Sequence, residues 1–331
     1  MKKTTCILLW IAAALMIAAL VFAVPSGSML SEYQNEWMDY AWDSEGLLRL
    51  LVPAASAEEA PAALPIDFTP GMTPNPDAYA EDGYADDSIT VKLETVEGDG
   101  VVWRIARVDI KDASQLRTGI AGNKVTSSKT MLVSSMAERY NAVIAISGDY
   151  YVNDPKKTSF EYRMGQMIRS KANHKKDLLI IDENGDFHTF VKSDADKMAA
   201  FNASGHTIVN AFTFGPALVS EGNLVACDTG YGYNPNGKEP RMAIGQMGPL
   251  SYVLVLAEGR NKDSEGVTHQ ELADFMFDIG CVEAFNLDGG NTATMVFGIG
   301  FYQTGRTVTN ERAQSDCIYF ATTVDPAAWS K

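Results

Sequence analysis

Asn286-Leu287-Asp288-Gly289-Gly290 places one carboxylate and two glycines where an apolar strand, Glu283–Leu287, reaches a turn. Loops at strand ends are common mounts for catalytic groups, because a rigid scaffold holds them in place. Upstream, Thr268 with Glu271 three residues on is a capping box that starts a helix. Leu272, Phe275, Met276 and Ile279 recur on one face of that helix, and Gly280 can end it. A helix therefore feeds the strand that delivers Asp288. Beyond it, Gly289 and Gly290 permit close approach to the backbone, and Asn291, Thr292 and Thr294 add polar groups before the next apolar run, 295–297. From this segment alone, an ordinary Asp-Gly hairpin turn explains the same residues.

Four other polar segments accompany apolar strands. The apolar run 142–146 leads to Ser147-Gly148-Asp149-Tyr150-Tyr151, a carboxylate beside aromatic rings suited to stacking on and hydrogen bonding to a sugar. Lys238-Glu239-Pro240-Arg241 precedes Met242-Ala243-Ile244-Gly245, so Arg241 starts a strand, where its guanidinium could grip a phosphate through paired hydrogen bonds. A surface arginine paired with Glu239 is the alternative. Glu258-Gly259-Arg260 follows the strand Ser251–Ala257, and Glu311-Arg312 with Ser315-Asp316 precedes a strand over 317–323. Both are charged strand ends, for which a salt-bridged scaffold is the default reading.

The chain has 331 residues, 46% hydrophobic and 21% charged, enough for a sizeable core. Its formal charge of -15 repels a nucleic-acid backbone, so nucleic acid is excluded as a partner and any anionic substrate must be gathered by a local Arg or Lys cluster. Lys2 and Lys3 precede an uncharged run, 4–24, long enough to cross a bilayer with its positive end in the cytoplasm. Residues 1–24 are therefore expected to be a transmembrane anchor or signal segment, with 5–24 in the membrane and the remainder outside the cell. Ala55-Ser56-Ala57 resembles a processing site, placed too late for an ordinary signal peptide. Residues 25–87, with irregular Ala, Pro and acidic composition, form a spacer that includes disordered sequence.

Short strands begin at Ser88. The runs 89–96 and Val101–Ile110 read as strands, 128–140 as a helix, and Leu178–Asp182 with 187–191 as a hairpin across Glu183-Asn184-Gly185-Asp186. The fold class is α+β, a mixed β-sheet core with flanking helices, in one domain over 88–325 and a tail at 326–331. Cys227, Cys281 and Cys317 allow at most one disulfide. The four histidines lack metal-motif spacing, so no metal and no organic cofactor is expected, with Ca²⁺ or Mg²⁺ left open.

In order along the chain, Ser147–Tyr151, Phe214-Gly215-Pro216-Ala217-Leu218-Val219, Pro240–Gly245, Glu258-Gly259-Arg260, Gly266-Val267-Thr268 with Glu271-Leu272-Ala273, and Asn286–Gly290 resemble the phosphodiester glycosidase family. That family contains the lysosomal uncovering enzyme, which removes N-acetylglucosamine from a phosphodiester, and bacterial exopolysaccharide-related proteins. The resemblance implies a glycosidase acting on a phosphorylated glycan or sugar-1-phosphodiester. It places Asp288, Asp149 and Glu271 as catalytic candidates. Arg241, Tyr150, Gly289, Gly290, Asn291, Thr292, Arg260 and Arg312 are the substrate-binding candidates. Glu271 ranks below the aspartates because its capping role already claims it. Ser147, Met242 and Asn291 depart from the usual family residues and bear on fine specificity. The alternatives are a noncatalytic carbohydrate-binding protein of the envelope, with Tyr150, Tyr151 and Tyr231 as platforms, or a scaffold for polymer export.

Overall fold

Burial limited to the start of Ile89–Gly98 and nearly continuous burial along Val101–Ile110 and Ser251–Ala257 mark the first as running out towards solvent and the others as interior strands. A computed structural model describes residues 63–149, 159–298, 300–304 (backbone only) and 311–329. The described residues lie within one compact unit, Pro61–Lys331. The run 4–24, its processing site, Tyr150 and Tyr151 lie outside the described residues.

Three antiparallel sheets are present among the described residues. The largest has nine strands, with Ile89–Gly98, Val101–Ile110, Ser251–Ala257, Arg241–Gly248, Glu283–Leu287 and Ala217–Ser220 as successive neighbours. A second runs Phe187–Phe190, Leu178–Asp182, Ile208–Phe212, Phe160–Arg163, Gln166–Ser170. The third runs Gly300–Thr304, Thr294–Phe297, Ile144–Ser147, Asp316–Phe320, Leu116–Ile120. Val108, Leu254 and Phe285 of the first sheet, Leu179 and Phe212 of the second, and Ile144 and Ile318 of the third bury their side chains in one shared cluster. Removal of this apolar surface from water is the main stabilising term.

Each sheet also packs a helix. His269–Asp278 lays Leu272, Ala273 and Met276 on the nine-stranded sheet. Val133–Arg139 covers the third sheet through Val133, Met136 and Ala137, and Ala195–Ser204 covers the second through Phe201. The capping box is complete in both directions: the Glu271 N–H donates to Thr268 Oγ1 at 3.1 Å and the Thr268 N–H to Glu271 Oε2 at 2.8 Å. The hairpin is also formed, with Phe187 paired to Ile181.

The spacer expected up to residue 87 does not extend that far. Tyr79–Ala80 and Gly83–Ala85 continue the large sheet, Tyr84 is buried in the shared core, and Met72 bridges to Thr322. Aromatic and aliphatic side chains among the Pro and Gly residues supply the apolar contact that composition alone obscures. The three described cysteines are free thiols.

Candidate active site

The strand Ile144–Ser147 ends at Gly148-Asp149 and the strand Glu283–Leu287 ends at Asp288, and these ends belong to different sheets. The Asp288 N–H donates to the Gly148 carbonyl at 3.0 Å, and Ser147 Oγ donates to the Asp288 carbonyl at 3.3 Å. The two strand ends are thereby tied together. Asp288 does not begin a hairpin: Gly290–Thr292 forms a single 3-10 turn, and Thr294–Phe297 departs into the third sheet. Gly289 is required by contact, because a Cβ there would lie 2.6 Å from the Pro240 carbonyl oxygen.

Asp149 is buried against Arg163, whose Nη2 donates to Asp149 Oδ1 at 2.5 Å. Asp149 Oδ2 accepts the Thr213 N–H at 3.2 Å. The same guanidinium reaches Asp316 Oδ2 at 2.8 Å and Glu161 Oε2 at 3.4 Å, donates to the Ala211 carbonyl, and lies 4.1 Å over the Phe212 ring. One fully buried cation thus organises three carboxylates. Gly148 makes room for this cluster, since a Cβ there would lie 2.6 Å from Asp316 Cγ.

Burial without enough positive charge favours protons on carboxylates. Burial, and then the charge of Asp149, push Glu161 well above the ordinary glutamate range. Asp316 is raised to about 6 by burial, against the attraction of Arg163. Half-buried Asp288 is also raised to about 6, again by burial first; Thr292 and Arg312 oppose the rise, while Asp149 and Asp316 add to it. The Asp288 carboxyl thus feels the charges of both Asp149 and Arg312.

The walls are aromatic and cationic. Tyr233, 46% exposed, stacks on Phe214 with ring centroids 4.0 Å apart. Its hydroxyl is raised by burial and by the charges of Asp149, Asp288 and Glu161. Lys176 Nζ lies 4.2 Å above the Tyr233 ring. Exposed Arg260 borders the Asp288 loop, donating through Nη1 to Asn291 Oδ1 at 2.9 Å and pairing with Glu239.

Two expected roles require correction. Arg241 does begin its strand, but its guanidinium faces inward and is 3% exposed. Nε donates to the Val267 carbonyl, Nη1 to the Tyr233 carbonyl and His269 Nε2, and Nη2 to the carbonyls of Asn234 and Gly237. All five N–H groups are engaged, leaving none for phosphate. Arg241 instead pins the loop that presents Tyr233. Burial lowers it to about 10, and burial followed by Arg241 lowers His269 to about 3, keeping that ring neutral.

Glu271 remains at its helix cap, paired with Lys238. Burial raises its pKa, but Lys238 and Thr268 outweigh this and hold it below the ordinary value. Tyr231 is a structural residue as well, 8% exposed, its hydroxyl accepting the Asp177 N–H and donating to the Phe214 carbonyl.

Sequence reasoning missed Glu161, Arg163 and Tyr233. Phe160-Glu161-Tyr162-Arg163 alternates, and the expected inward face of such a strand is the aromatic one. Here Glu161 and Arg163 are buried and the aromatics half-buried. The available signal was charge at alternate positions of a strand. A hollow of about 680 Å³ lies elsewhere, between Pro74, Ser134 and Phe297, with Glu138 as the one carboxylate among its described lining residues. It lacks the paired acids.

Residues 140–321, more than half the chain, match the family profile described as phosphodiester glycosidase. The SPbeta prophage-derived uncharacterized protein YomE of Bacillus subtilis (strain 168) is 24% identical over 164 residues, 49% of this chain. The match spans about a quarter of that relative, 25% of its length. The catalytic domain of zebrafish N-acetylglucosamine-1-phosphodiester alpha-N-acetylglucosaminidase, auto-inhibited by its pro-peptide, superposes with a TM-score of 0.52 at 16% identity, covering 76% of this chain and 87% of that domain. A hypothetical protein from Synechocystis gives a TM-score of 0.49 at 17% identity, covering 70% and 62%. The zebrafish likeness concerns the fold.

Proposed function

The chain belongs to the phosphodiester glycosidase family, and from that premise we propose a hydrolase that cleaves a sugar-1-phosphodiester between the anomeric carbon and the phosphate oxygen, outside the cell. The observation that carries the reading is the bond from Asp288 to Gly148, the residue before Asp149, which joins the ends of two sheets, with Asp288 raised to about 6. A carboxylate poised near neutral pH suits proton transfer, because both of its forms are accessible at the working pH.

Asp288 is assigned as the base that activates water, or as the nucleophile that attacks the sugar carbon. Asp149, fixed by Arg163 and Thr213, orients the sugar hydroxyls. The departing phosphate monoester is weakly basic, so a strong general acid is less necessary than in cleavage of an ordinary glycoside. An anion clamp matters more, and Arg260 and Arg312 at the Asp288 loop supply it in place of Arg241. The zebrafish catalytic domain's name gives the substrate class by analogy.

Location rests on the sequence: the uncharged run 4–24 behind Lys2 and Lys3 supports a single-pass anchor with the acidic remainder outside, which suits a phosphorylated envelope or exopolysaccharide glycan. The exposed Tyr233–Phe214 stack favours a second reading, a carbohydrate-binding protein without turnover. Incubating the full-length chain with synthetic sugar-1-phosphodiesters and with teichoic-acid-like polymers separates the two. Released sugar supports the hydrolase; retention on polymer without release supports the binding protein and rejects the hydrolase.

A further inference from the structure

We propose a divalent-cation site of the zinc type formed by Asp182, Glu183 and His206, with His188 hydrogen-bonded to the Asp182 carboxylate at its edge. It is independent of the hydrolase reading and lies at the opposite end of the second sheet. The strand Ile208–Phe212 pairs Ile208 with Asp182 at one end and leads to Thr213 beside Asp149 at the other. Five residues of extended chain separate the two places by about 15 Å.

Three potential ligand atoms converge, those of Asp182, Glu183 and His206, and His188 Nε2 flanks them against Asp182. Asp182 Oδ2 lies 3.0 Å from His188 Nε2 and 3.2 Å from His206 Nδ1, and His206 Nδ1 lies 3.3 Å from Glu183 Oε1. The Asp182, Glu183 and His206 ligand atoms all fall within 4.8 Å of one another. A tetrahedral Zn²⁺ with bonds of about 2.0–2.1 Å holds its ligand atoms about 3.3 Å apart. Hydrogen bonding alone accounts for the cluster less well, because His206 Nδ1 faces two carboxylates and carries at most one proton.

The surroundings orient these groups as metal ligands are oriented. Asp182 Oδ1 accepts the N–H groups of Asn184 at 2.9 Å and Asp186 at 3.0 Å, which aims Oδ2 at the imidazoles. The second Glu183 oxygen accepts the Thr207 N–H at 2.6 Å. Buried Phe201 supports both rings, with centroids 4.9 Å from His188 and 5.9 Å from His206. An imidazole nitrogen with two carboxylate oxygens, leaving one position for water, favours Zn²⁺ over Ca²⁺ or Mg²⁺, which prefer all-oxygen shells. No short motif announced the site, because its ligands come from a hairpin and from the residue two beyond a helix. A bound cation would fasten the hairpin to that helix.

The test uses the full-length, tag-free chain, stripped with chelator and titrated with ZnCl₂ by calorimetry, with thermal melts in parallel. One equivalent should bind and raise the melting midpoint, whereas Ca²⁺ and Mg²⁺ at equal concentration should not. His206→Gln should weaken binding by at least about tenfold, and His188→Gln, beside the Asp182 carboxylate, by less. Cobalt(II) on the unaltered chain should give the intense visible absorption of a four-coordinate ion. Asp288→Asn should bind Zn²⁺ normally, which keeps the outcome separate from that of the hydrolase assay. Absence of stoichiometric binding, binding unchanged in His206→Gln, or a weak octahedral cobalt spectrum would overturn the site and leave an imidazole–carboxylate ion-pair network.

Discussion

The backbone N–H of Asp288 donates to the carbonyl of Gly148 at 3.0 Å, 140 positions earlier in the sequence, joining the end of a strand in one sheet to the end of a strand in another. Asp149 is the next residue after the acceptor. This one bond therefore holds the Asp288 backbone beside the residue that precedes Asp149, without requiring either side chain to hold the other.

If Asp288 is the base or nucleophile, Asp288→Asn should lower kcat by about 10²–10⁴-fold while the circular dichroism spectrum is retained. In the unaltered chain, kcat/KM should rise with pH through about 6, since the ionised form is the active one. A flat profile between pH 5 and 7 would remove Asp288 from that role.

The same carboxyl should cost stability at neutral pH. Its folded value is raised from 3.8 to about 6, so its favourable contribution is complete below about 4 and is lost as pH rises through about 6. Neutral, buried His269 acts in the opposite direction, losing stability as pH falls from 6.5 towards about 3. The difference between Asp288→Asn and the unaltered chain isolates the carboxyl. Urea unfolding should show the variant gaining about 2 kcal/mol relative to the parent between pH 4 and pH 8, with allowance for partial exposure.

Removing the shared cation should be severe. Arg163→Met leaves Asp149, Asp316 and Glu161 buried without their partner, a loss of about 3–5 kcal/mol in denaturant unfolding. Arg163→Lys should rescue little, because a single ammonium cannot reproduce the planar fork that reaches several acceptors at once.

Arg241 and Arg260 should separate stability from binding. Arg241→Ala strands buried carbonyls and should cost about 3 kcal/mol of stability. Arg260→Ala, at an exposed rim, should leave the melting midpoint nearly unchanged and raise KM for a sugar phosphodiester by about tenfold. The reverse pattern would restore the phosphate clamp to Arg241.

Local chemistry was legible in the sequence. The Thr268–Glu271 capping box, the hairpin at 178–190, the buried Ser251–Ala257 strand and the strand-end positions of Asp149 and Asp288 follow from interactions between near neighbours, and each is present in the fold. Tertiary structure decided which charges turned inward. Arg163 faces Asp316 across 153 positions, so the Phe160–Arg163 strand buries its charged face where its own pattern favours the aromatic one. Arg241 is consumed by the loop at 233–237 and its helix neighbour, which a strand-start arginine does not disclose. A charged side chain is stable inside only when its partners are already there, and those partners are supplied by distant segments that only the folded chain brings together.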